Sequence, residues 1–190
     1  LIRTKLVTAF YHKESETLIL PVGSKTLRNT FMAQLVRAVE SLKTTTIYVS
    51  EAKGSLTNRL ASFMQRGSDC FDTFELGNKV VMDSENGKLS FDVSDIQSNI
   101  EGITEAITTG YRVKEIALAR DSVFFRLDQD FIIKGISFGD DAIPEQDEEE
   151  DDEEARQFEH EAGAQVAIIV GILESLCNMF GYQPPEENKE

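Results

Sequence analysis

The chain has 190 residues, 41% of them apolar and 28% charged, enough apolar content for one globular domain or two small ones. A formal net charge of −15 excludes a protein that is basic all over. The charge is unevenly spread, however: Leu1–Arg66 holds ten Lys/Arg against four Asp/Glu (net +6), Gly67–Gly139 carries −6 and Asp140–Glu190 carries −15. An N-terminal part able to meet a polyanion is therefore compatible with an acidic total.

In chain order, "KLVTAFYH" (Lys5–His12) and "TLILPV" (Thr17–Val22) are β-branched or aromatic and read as two strands joined by the polar "KESE". Leu27, Phe31, Leu35, Val39 and Leu42 then recur at helical spacing, with Ser24 as the predicted N-cap. Thr45–Ser50 returns as a strand, so the first fifty residues read β-β-α-β. Ser55–Gly67 predicts a second helix stopped by glycine. "CFDTFEL" and "KVVMD" predict two short strands around Gly77-Asn78, and "GKLSFDV" a third after a turn at Glu85–Gly87. Ile96, Ile100, Ile103 and Ile107 mark a helix over Ser94–Gly110, with Gly110 in the C′ position. "YRVKEIALAR", "SVFFRLD" and "DFIIKGISF" form an antiparallel meander turning at Asp121 and at Asp128–Asp130.

The acidic run "EQDEEEDDEEA" follows, and then a helix with apolar residues round most of its circumference, in "ARQFEHEAGAQVAIIVGILESLCNMFG". Such a helix is expected to be buried on more than one side, inside the chain or against a second copy. The mixture of antiparallel strands and helices defines the fold class as α+β, with a long C-terminal helix. The expected organisation is a basic β-β-α-β part over 1–50 and a helix-plus-antiparallel-sheet domain over 51–139. An acidic linker follows over 140–157, then the C-terminal helix packing back on the core over 158–182 and a polar tail over 183–190.

Cys70 and Cys177 lie far apart beside apolar residues and read as buried thiols in a reducing compartment. The apolar stretch Val166–Leu173 is too short to span a bilayer, and no signal peptide is visible, so a cytoplasmic protein is expected. The chain opens on Leu, which is not expected to be a native start.

The sequence carries no catalytic constellation. "VGSKT" lacks the first glycine of a phosphate-binding loop and reads as a helix cap. His12 and His160 have no zinc-ligand spacing, no nucleophile elbow is present, and the acidic run lacks the spacing of a calcium loop. Neither enzyme activity, nor metal, nor cofactor is expected.

Five segments together resemble the bacterial RdgC family of recombination-associated proteins. They are "LILPVGSKTLRNTFMAQLVRAVESL", "LTNRLASFMQRG", "ITEAITTGYRVKEIALAR", "SVFFRLDQDFIIKGISFGD" and "QFEHEAGAQVAIIVGILESLCNMFGY". Their order and spacing are similar to the C-terminal two-thirds of the family's proteins. The family's N-terminal third, with a basic arm and a gate phenylalanine, has no counterpart, and "SFDVSDI" lacks the lysine of a Lys-Gln pair found there in the family. The resemblance implies a nucleoid-associated homodimer that closes a ring on double-stranded DNA without sequence preference and opposes RecA. Phosphate neutralisation requires a local basic face, and the net-positive N-terminal part makes Lys5, Lys13, Lys25, Arg28, Arg37 and Lys43 the candidates for it. On their helix, Lys25 and Lys43 are read as pointing away from the apolar stripe, and Arg28 and Arg37 as flanking it. The alternative is a protein-interaction module whose acidic run mimics nucleic acid or binds a basic partner. The bland reading of that run is a solvated link.

Overall fold

A computed structural model describes residues 6–40, 52–66, 71–92, 96–143 and 153–182. The strand predicted at Thr45–Ser50, Cys70 and most of the acidic run lie outside these residues. The chain divides into two compact units, residues 1–46 with 148–174 and residues 47–147 with 175–190.

In the first unit, β1 (Phe10–His12) pairs antiparallel with β2 (Thr17–Ile19), in register Phe10↔Ile19 and His12↔Thr17. The four-residue turn is tied by Ser15, whose amide donates to His12 Nδ1 at 3.3 Å while its hydroxyl lies 2.8 Å from the same nitrogen. Helix α1 (Lys25–Val39) begins where the sequence places it, because the Ser24 hydroxyl accepts the otherwise unpaired Leu27 amide at 3.3 Å. It ends three residues short of the predicted Leu42, at Glu40, whose φ of 55° leaves the helical region.

The second unit is built on a five-stranded antiparallel sheet in the order β4-β3-β5-β6-β7. Its strands are β3 (Glu75–Ser84), β4 (Gly87–Asp92), β5 (Arg112–Arg120), β6 (Val123–Asp128) and β7 (Ile133–Phe138). The two strands predicted around Gly77-Asn78 are one strand, β3. Its pairing with β5 jumps from Leu76↔Leu118 to Val80↔Ile116, so the residues between are accommodated as an irregularity instead of breaking the strand. Gly77 permits this, since a Cβ there would come within 2.9 Å of Ala117 Cβ.

One face of the sheet is apolar and packed. Helix α2 (Ala52–Arg66) lies against β5, and α3 (Ile96–Thr108) lies against β4 and α2. Leu56 and Leu60 of α2, Ile103 of α3 and Ile116 of β5 are fully buried, each stabilising by ~1.5–3 kcal/mol. Phe74 and Phe125 meet edge to face, centroids 5.6 Å apart. Thr57 is buried within this apolar layer and its hydroxyl accepts the Val113 amide at 2.9 Å, a bond that ties α2 to the start of β5.

Helix α3 stops as predicted. Gly110 takes φ +98°, its amide bonds Ile107 O at 3.1 Å, and the Tyr111 amide reaches back to Ala106 O at 2.9 Å. Helix α4 (Glu153–Met179) closes the same way at Gly181, with Tyr182 bonding Cys177 O at 2.8 Å. The last turns of α4 belong to the sheet unit, where Leu176 is fully buried and Met179 nearly so.

Two sequence expectations need correction here. By length and composition alone, the 22 residues Phe158–Met179 are enough to cross a membrane, a longer stretch than Val166–Leu173. Only 22% of that apolar window is buried, but Val170 and Ile172, on opposite sides of the helix, are both buried. Cys177, in thiol form, is half-buried and not fully enclosed.

Candidate nucleic-acid interface

The basic candidates come from the first unit. Helix α1 carries Lys25, Arg28 and Arg37 and no carboxylate along its fifteen residues. Ser24 caps its positive end, no acidic residue offsets the first turn, and Arg37 in the last turn complements the negative end. Lys25 and Arg37 are exposed, and Arg28 is half-buried. Arg28 stands seven residues before Leu35 and eleven before Val39, which puts it in the apolar row itself. The expectation that it flanks the stripe is corrected accordingly. The three cations do not form one line. Lys25 and Arg37 lie about 18 Å apart along the axis, the rise of roughly five base pairs.

No residue of α1 is fully buried, and Val36 and Val39 are 43% and 48% exposed. The stripe is half-buried at Leu27, Phe31 and Leu35 and exposed at Val36 and Val39. Lys13, in the β1–β2 turn, is exposed. Lys5 and Lys43 lie outside the described residues.

The second unit holds a charge cluster that the sequence reading missed. It sits on the polar face of the sheet, opposite the packed helices. Glu115 of β5 and Asp128 of β6 are direct cross-strand partners. Lys134 of β7 reaches both, with Nζ 2.6 Å from Asp128 Oδ2 and 3.5 Å from Glu115 Oε2. Arg126 donates to Glu115 Oε1 at 3.0 Å. Asp128 is only 6% exposed, and its second oxygen accepts the Asp130 and Ile132 amides at 2.9 and 3.0 Å. The hydrogen bond to Asp128 holds the Lys134 ammonium above its ordinary pKa, against the opposing effect of burial, with the charges of Asp128 and Glu115 adding to it.

Two bulges assemble this cluster. Between β3 and β5 the register steps from Val81↔Glu115 to Met82↔Val113, which makes Lys114 an extra residue and lets it share the polar face with Glu115. Lys114 Nζ then bonds Asp83 Oδ2 at 2.7 Å, which lowers the Asp83 pKa and raises that of Lys114. Between β6 and β7 the extra residue falls at Gly135, with φ +56°. A Cβ at Gly135 would lie 3.0 Å from the Arg126 guanidinium, so glycine is needed there both for the backbone and for the arginine. Lys88, Lys114 and Lys134 line one shallow cavity of about 230 Å³ on this face.

Among the described residues, no three His, Cys, Asp or Glu side chains form a group that could hold a metal ion.

The chain matches the family described as "Putative exonuclease, RdgC" over residues 1–183. It is accordingly a member of a recombination-related, nucleic-acid-associated class of proteins. It belongs to the RdgC family, and the assignment rests on essentially the whole chain and not on one part of it. No individual curated protein matches the chain.

Proposed function

We propose that the chain binds double-stranded DNA without sequence preference, through the basic face of α1, as a homodimer acting in recombination. The observation that carries this reading is the composition of α1, three exposed or half-exposed cations and no carboxylate in a chain of net charge −15. Non-specific duplex binding is mostly phosphate neutralisation with counterion release, and requires such a local face and not a basic protein. Family membership supports the recombination context. On this reading the protein works in the cytoplasm at the nucleoid, opposes RecA on DNA, and occupies DNA without processing it.

The test is a mobility-shift titration on two duplexes of unrelated sequence at low salt, on the order of 50 mM. Equal affinities that fall steeply as salt rises support the reading. The absence of any retarded species at low salt refutes it.

A further inference from the structure

The family description names an exonuclease, and carboxylate-held divalent cations are a common means of cleaving phosphodiesters. Among the described residues, the nearest approach to such a donor set is the cross-strand pair Glu115 and Asp128. Neither carboxylate is open. Glu115 gives Oε1 to Arg126 at 3.0 Å and Oε2 to Lys134 at 3.5 Å. Asp128 gives Oδ1 to the Asp130 and Ile132 amides and Oδ2 to Lys134 at 2.6 Å. A magnesium ion requires oxygen ligands at ~2.0–2.1 Å in near-octahedral array, with lone pairs to spare. Here a positive charge already stands between the two carboxylates, and Lys88 and Lys114 line the same cavity and repel a second cation. The pair as it stands does not fit a resident metal.

We infer that the Glu115–Asp128 pair holds no resident divalent cation, because the Lys134 ammonium is the cation built into it. The role is structural: the ammonium joins β7 to β5 and β6 across the polar face. Metal-dependent DNA cleavage at this pair is thereby excluded in the wild-type chain. The inference is independent of the DNA-binding reading, because its readout uses manganese alone.

The experiment is a Mn²⁺ titration of the full chain followed by water-proton relaxation, in the wild-type protein and in Glu115→Gln and Glu115→Ala. The acidic run contributes weak binding common to all of them. Glu115→Gln should change wild-type Mn²⁺ affinity by less than about twofold. A wild-type affinity that drops about tenfold on either substitution overturns the inference.

Discussion

The ring of Phe180 meets the ring of Phe131 edge to face, with centroids 5.6 Å apart. The Arg59 guanidinium lies 5.3 Å from the Phe180 centroid, and the same arginine donates to the carbonyl of Met179. The end of α4 is thus locked to α2 and to the β6–β7 turn by one aromatic residue and one cation. Phe180→Ala should lower stability by ~3–5 kcal/mol in urea denaturation, whereas Phe180→Leu should cost clearly less. Equal losses for the two would mean that the ring contacts, and not the volume, are what matters.

Asp128 organises the turn between β6 and β7 through one buried carboxylate that serves two amides and one ammonium. Asp128→Asn keeps an oxygen for the amides and loses the ion pair. Asp128→Ala loses both and should cost about 2–4 kcal/mol, with the asparagine variant near half of that. Chemical denaturation of the two variants side by side separates the turn contribution from the charge contribution.

Asp121 and Ser122 form the two-residue loop between β5 and β6, with φ of 48° and 61°. This is the positive-φ pattern of the tight hairpin turn that favours Asn-Gly and Asp-Gly. Ser122 pays for that conformation in steric strain, and its carbonyl must stay in place to accept the Gly139 amide at 2.8 Å. Ser122→Gly should raise stability by about 0.5–1 kcal/mol, visible as a higher melting temperature with unchanged secondary structure. Gly139→Ala should do the reverse, since its Cβ would stand 3.0 Å from the Ser122 carbonyl oxygen.

The Asp83–Lys114 pair gives stability a defined pH dependence. The Asp83 pKa is lowered from 3.8, first by the Lys114 hydrogen bond, so its contribution is present above that value and is lost as pH falls below it. The Lys114 pKa is raised from 10.5, first by the bond to Asp83, so its contribution is present below that value and is lost as pH rises beyond it. Both groups are exposed to solvent, and the effect is correspondingly small and sensitive to salt. Melting temperatures of the wild type and Asp83→Asn should differ at neutral pH and converge in acid below the ordinary carboxylate range.

Much of the scaffold was legible because its signals are local. Ser24 before an apolar-periodic run, Gly110 after one, and alternating apolar residues in the meander each act through neighbours in sequence. The polar-face cluster was not legible for the opposite reason. Asp83, Lys114, Glu115, Asp128 and Lys134 are scattered over fifty residues and are brought together by register, including two bulges that no periodicity announces. Lys-Glu at 114 and 115 even looks like a break in alternation until the extra residue is seen. In α1 the half-buried Arg28 was readable from its seven-residue spacing to Leu35, but a charge among apolar residues is easily assigned to the edge of a stripe. The long apolar helix is a different case. Apolar composition round a helix states what could be buried, and in α4 burial is concentrated in its C-terminal turns.

The most direct test of the central claim is the salt dependence of duplex binding, compared between the wild type and the triple variant Lys25→Glu, Arg28→Glu, Arg37→Glu. Each phosphate contact contributes about −0.9 to the slope of log affinity against log salt. The variant should bind at least about tenfold more weakly at low salt, with a slope shallower by about 2–3. Its fold should be intact by circular dichroism, since no α1 residue is fully buried. Unchanged affinity together with an unchanged slope would contradict the assignment of the DNA-binding face to α1.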